Sequence, residues 1–120
     1  MPILKPEFTS TDKRRKLVQL FTGNVQQVNF YESEKGAILG DHYHKLTGEY
    51  FYILKGSFLM QFGSPSSRLR QTQVVNKGNL FFMPAMIHHT VECISQKGEF
   101  LTFLTMPYDH LSPDVFKESR

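Results

Sequence analysis

The 120-residue chain is predicted to be all-β, built from short antiparallel strands arranged as a sandwich or barrel. Three observations lead there. Phenylalanine is abundant, at 11 residues. Apolar and polar residues alternate with period two along many segments. Turn residues recur roughly every ten positions, which suits strands and is too frequent for helices.

Taken in order, strands are expected near Lys16–Phe21, Val25–Glu32, Ala37–His44, Glu49–Lys55, Ser57–Phe62, Leu69–Val75, Asn79–Met83, His88–Ile94 and Glu99–Thr105. Turn signals punctuate them at Gly23-Asn24, Lys35-Gly36, Thr47-Gly48, Lys55-Gly56, Gly63-Ser64-Pro65, Asn76-Lys77-Gly78 and Lys97-Gly98. Only the tail after Pro113 suggests a short helical turn. The chain reads as one domain, residues 1–120, with a core of about 16–106, an N-terminal arm over 1–15 and a C-terminal tail over 107–120. Phe51, Ile53, Phe58, Met60, Phe62, Phe82 and Phe103 are the expected core fillers, and Cys93 reads as a small buried apolar residue.

Composition narrows the class. An apolar content of 40% with 21% charged residues is ordinary for a globular protein. No apolar run approaches the ~20 residues of a membrane span, and the start MPILKPEFTS lacks the apolar core of a signal peptide. The single cysteine excludes an internal disulfide framework and fits a reducing compartment, so cytoplasmic residence is expected. Net charge is only +3, and its densest run, Lys13-Arg14-Arg15-Lys16, reads as a solvated face. Neither nucleic acid nor membrane is an expected partner.

The chemistry concentrates in two segments. Residues 36–56, GAILGDHYHKLTGEYFYILKG, place His42, His44 and Glu49 in one short stretch. In a strand, His42 and His44 point to the same side while Tyr43 points away. After a turn at Leu46-Thr47-Gly48 the chain reverses, and Glu49 opens the neighbouring strand with Phe51 and Ile53 on its face. Two imidazoles and a carboxylate on adjacent strands suit a first-row divalent metal with positions left open for substrate. In a second segment, GNLFFMPAMIHHTVEC from Gly78 to Cys93, His89 would complete the set. His88 would take its place if the register slipped by one. Ligation needs neutral imidazole and ionised carboxylate, so affinity should weaken below pH ~6.

The first segment reads G-x5-H-x-H-x4-E-x6-G and the second G-x5-P-x4-H; together they resemble the paired motifs of the cupin family. That resemblance implies a jelly-roll barrel, or double-stranded β-helix, holding a three-histidine, one-glutamate centre at His42, His44, Glu49 and His89. The second motif departs from its usual form, with Met86 where a glycine is common and Cys93 where an asparagine is common. Because glycine at a turn marks a conformation costly for other residues, Met86 predicts a different local turn. Upstream, Asp12–Leu17, Gln27–Phe30 and Gly36–Tyr43 look like the layout of deoxysugar epimerase and ketoisomerase cupins. Here Arg15 replaces a common glycine and Leu39 a common arginine, which removes a positive group suited to a nucleotide diphosphate.

Three functions follow. The favoured one is a cupin enzyme with one divalent transition metal per chain (iron, manganese, nickel or zinc) acting on a small polar substrate. Carbohydrate or keto-acid isomerisation is slightly preferred to dioxygenation. The second is a metal-independent sugar-nucleotide isomerase or epimerase with His42 as catalytic base and a tyrosine as acid. The third is a non-catalytic small-molecule-binding module. Tyr50, Tyr52 and Leu54 give the outer strand face apolar character, so a two-fold homodimer is expected.

Overall fold

A computed structural model describes residues 1–117. Among the described residues ten strands form: β1 Phe8–Thr11, β2 Lys16–Gln19, β3 Gln27–Glu34, β4 Ile38–His42, β5 Glu49–Lys55, β6 Ser57–Gly63, β7 Gln71–Asn76, β8 Leu80–Met83, β9 His88–Cys93 and β10 Lys97–Leu104. Every pairing is antiparallel. Two four-stranded sheets, ordered β3-β10-β5-β8 and β4-β9-β6-β7, form the jelly roll, and β1 and β2 form a separate hairpin.

Period-two patterning explains the packing. Along β5, Glu49, Phe51 and Ile53 are buried while Tyr50, Tyr52 and Leu54 are only partly so. Between the sheets, Phe51, Ile53, Phe58, Met60, Val75, Phe81, Met83, Val91, Cys93 and Phe100 form one apolar cluster. Phe51 stacks on Phe81 with ring centroids 5.0 Å apart, and Phe58 meets Phe100 edge-on at 5.1 Å.

Several expectations are corrected. Phe82 and Phe103 do not fill this core: Phe81 is fully buried instead, while Phe82 packs on Tyr50 and Phe103 on Phe21. Leu80–Met83 is a continuous apolar run, so periodicity could not say which phenylalanine faces in. Strand β1 lies within the expected arm, because FTST carries no alternating apolar signal and pairs with β2 through its backbone. The basic run forms the hairpin tip, where the Asp12 carboxylate accepts the Arg14 N–H at 2.8 Å. No helical turn forms over 114–117, where Phe116 instead makes an antiparallel bridge with Tyr43. The remainder of that expected turn, 118–120, lies outside the described residues.

Candidate metal centre

Strand β4 delivers the first histidine through an irregularity. It pairs with β9 so that His42 lies opposite His89, and the register shifts between Gly40 and His42. Gly40 (φ 85°) and Asp41 (φ 60°) both take left-handed backbone conformations there. A Cβ at Gly40 would sit 2.9 Å from the His89 carbonyl oxygen, so glycine is what allows the close approach of the two strands. The strand ends at His42, and His44 lies beyond it in the loop to β5. The two imidazoles still converge, with centroids 4.8 Å apart, but the bulge and loop aim them, not the simple alternation expected over Ala37–His44.

Glu49 opens β5 in the opposite sheet and is 7% exposed; His89 on β9 is 2% exposed. His42, His44, Glu49 and His89 each offer a ligand atom, and these atoms all lie within 4.8 Å of one another. His88 points to the other side of β9, with Nε2 3.1 Å from the Asp41 carboxylate. The structure therefore gathers the four residues singled out from the sequence and leaves His88 apart.

Met86 corrects another expectation. It adopts φ 66° itself, so the turn keeps the left-handed backbone without a glycine. Its N–H donates to the His44 carbonyl at 2.6 Å, tying the two motif segments together.

Hydrogen bonds decide which ring nitrogens face the cluster. His44 Nδ1–H donates to the Asp114 carbonyl at 2.6 Å, and His89 Nδ1–H donates to the Ile87 carbonyl at 3.2 Å. Both Nε2 atoms are thereby turned toward Glu49 Oε1, at 2.7 Å for His44 and 3.6 Å for His89. A backbone carbonyl behind an imidazole is the usual support for a metal-ligating histidine. His44 Nε2 faces an anion, so it carries either a proton or a bond to a cation. Three inward imidazoles around one ionised carboxylate therefore fit a divalent transition metal.

The electrostatics agree. Burial, then the positive character of His89 and His44, lowers His42 to about 4. Burial also lowers His89. For His44 burial pulls downward, but the Glu49 hydrogen bond and charge outweigh it and the net shift is upward. Burial pushes Glu49 up, yet the His44 hydrogen bond and the surrounding histidines bring it below its ordinary value. In the metal-free cluster these shifts favour a charged pair of His44 and Glu49 beside neutral His42 and His89.

A cavity of about 270 Å³ opens onto His42, His44 and Glu49, with Tyr31, Met106 and Tyr108 among its other walls. Tyr31 stacks on Phe100 at 4.7 Å. Burial, then the Glu49 charge, raises its phenol above the ordinary value. Asp114 also lines the cavity and was invisible to sequence reasoning, since an aspartate in a tail carries no local mark of a contact 70 residues away.

The cupin family profile matches residues 8–110. No curated protein sequence matches the chain. Among solved structures it is similar to QdtA, a sugar 3,4-ketoisomerase from Thermoanaerobacterium thermosaccharolyticum in complex with TDP. There the TM-score is 0.78 at 17% identity, covering 97% of this chain and 86% of that one. It is also similar to dTDP-6-deoxy-D-glucose-3,5-epimerase RmlC from Legionella pneumophila, with TM-score 0.75, 19% identity, and coverage of 92% and 69%. The capsular polysaccharide assembling protein CapF from Staphylococcus aureus gives TM-score 0.74 at 20% identity over 99% of this chain, which spans only 35% of CapF.

Proposed function

The chain belongs to the cupin family, and from that premise we propose that it is a metal-dependent enzyme acting on a small polar substrate. His42, His44, Glu49 and His89 would hold one divalent transition metal, with carbohydrate or keto-acid isomerisation favoured over dioxygenation. One observation carries the reading: His44 and His89 both spend Nδ1–H on backbone carbonyls and aim Nε2 at the Glu49 carboxylate. When bound, the metal supplies Lewis acidity for a substrate carbonyl or hydroxyl. The chain contributes the rest. Leu46, Leu104, Met106 and Val115 give the cavity an apolar wall, and the Tyr31 phenol, kept protonated by burial and Glu49, would donate a hydrogen bond to substrate. Small sugars or keto acids match the cavity of about 270 Å³.

A metal-independent sugar-nucleotide isomerase or epimerase is the second reading, supported by the fold shared with QdtA and RmlC. Two observations weigh against it. His42, at about 4, is a poor proton acceptor at neutral pH. Among the described residues no lysine or arginine lines the cavity to meet a diphosphate.

Elemental analysis of the purified protein with anomalous diffraction at the cluster tests the choice. Near-stoichiometric iron, manganese, nickel or zinc is expected, and Glu49→Ala should strip it. Metal content unchanged in that variant would falsify the role of Glu49. Activity that survives chelation but not His42→Ala would favour the second reading. Binding of sugars or keto acids without turnover would leave a binding module.

For assembly we favour a cytoplasmic two-fold homodimer. Tyr50 is partly covered by the Phe21 ring at 3.9 Å, so the β3 side of that outer face, where Val28 and Phe30 are 54% and 53% exposed, is the better contact. A monomer mass by light scattering at micromolar concentration would exclude it.

A further inference from the structure

His44 is the one member of the cluster that no strand holds. The β4 ladder ends at His42 and β5 begins at Glu49, so the loop between them needs other partners. The C-terminal segment provides them. The Asp114 carboxylate accepts the Lys45 N–H at 2.8 Å and the Leu46 and Thr47 N–H groups at 2.9 Å each, and the Thr47 hydroxyl at 3.1 Å. Its own carbonyl accepts His44 Nδ1–H at 2.6 Å. Two residues on, Phe116 exchanges backbone hydrogen bonds with Tyr43 at 2.9 and 3.0 Å. One residue thus binds three successive backbone donors of the loop and also the imidazole that the loop carries.

His89 makes the contrast plain. Its Nδ1 partner, the Ile87 carbonyl, lies two residues away at the entry to β9, so the local segment alone can orient that ring. The orienting carbonyl of His44 comes from 70 residues away and exists only while the C-terminal segment is docked. A carboxylate that accepts several backbone N–H groups is a firm anchor, because each bond is charge-assisted.

We propose that Asp114 is the positioning residue of the centre, clamping the 45–47 loop and fixing which nitrogen of His44 faces Glu49. The geometry stands by itself. Its consequence, tighter cation binding, rests on the metal reading above. Supporting groups of this kind are typically worth 10–100-fold in metal affinity.

The test uses the full chain with Asp114→Ala, Asp114→Asn and, as a stability control, Phe116→Ala. Two quantities are measured: the slowly exchanging His44 Nδ1–H signal by ¹⁵N-edited NMR of metal-free protein, and Zn²⁺ affinity by competition with a chelating dye. Asp114→Ala should lose the signal and bind Zn²⁺ roughly 10–100-fold more weakly. Asp114→Asn, which keeps one acceptor oxygen, should fall between it and wild type, and carries the test if the alanine variant does not fold. Phe116→Ala should lower the melting temperature while keeping the signal. A His44 signal unchanged in both Asp114 variants overturns the proposal. Wild-type protein that binds no Zn²⁺ or other transition metal would sink the metal reading alone, and loss of the signal in Asp114→Ala would still establish the positioning role.

Discussion

Titrating Zn²⁺ into the metal-free protein at pH 6 should release fewer than two protons per metal bound. Three histidines at the ordinary value near 6.5 would each be about three-quarters protonated there and would give up about 2.3 protons in total. The fold changes that sum. His42 is held at about 4 by burial and by His89 and His44, so it is neutral before the metal arrives. His89 is also lowered, by burial, and adds only a fraction. Glu49 is lowered and already ionised. His44, raised through its contact with Glu49 at 2.7 Å, is the group that must surrender a proton. Calorimetry in buffers of differing ionisation enthalpy reads the number as a slope. Two or more protons would mean that burial does not keep His42 and His89 neutral; none would mean that His44 is not an imidazolium. The same shifts set the stability of the metal-free protein. The raised His44 contributes fully below 6.5 and loses that contribution as pH rises through its folded value. The depressed Glu49 contributes above 4.5 and loses its share as pH falls through its folded value. His42 and His89 oppose folding progressively below 6.5, where the unfolded chain takes up their protons first. Maximum stability is therefore expected near pH 6.5, and chemical denaturation across pH checks it.

Metal removal should lower the melting temperature: at a free metal concentration 100 times Kd, binding stabilises by about 2.7 kcal/mol, or roughly 10 °C for a domain of this size. A melting curve indifferent to chelator would exclude a bound cation. Met86→Gly should stabilise the protein. Met86 holds φ 66° while 49% exposed, so little packing is lost, and relief of left-handed strain less the added glycine entropy leaves a gain of about 0.5–1 kcal/mol, or roughly 2–4 °C by calorimetry. Gly40→Ala should do the reverse, costing about 1–3 kcal/mol as its Cβ meets the His89 carbonyl. Because β4 and β9 would separate at His42 and His89, metal content should fall too, and unchanged content would show that the bulge does not aim those rings.

Local pattern made much of the architecture legible. Alternation along Glu49–Lys55 placed Glu49, Phe51 and Ile53 inward, and glycine-marked turns separated most strands near where they end. Where the local signal was silent, expectation failed. The apolar run Leu80–Met83 did not distinguish Phe81 from Phe82, and polar FTST hid β1. The spacing of His42, His44, Glu49 and His89, through its resemblance to the paired cupin motifs, identified which side chains meet. How they meet was decided elsewhere: by the bulge at Gly40 and Asp41, by Met86 in a left-handed turn, and by Asp114 reaching the loop from the far end of the chain. The sequence by itself determined the fold class, since period-two patterning and turn chemistry act over a few residues, and its motif spacing determined the identity of the clustered side chains. Only the tertiary structure decided ring orientation and the direction in which each group's proton affinity shifts, because those depend on burial and on hydrogen-bond partners that chain folding brings from as far as 70 residues away.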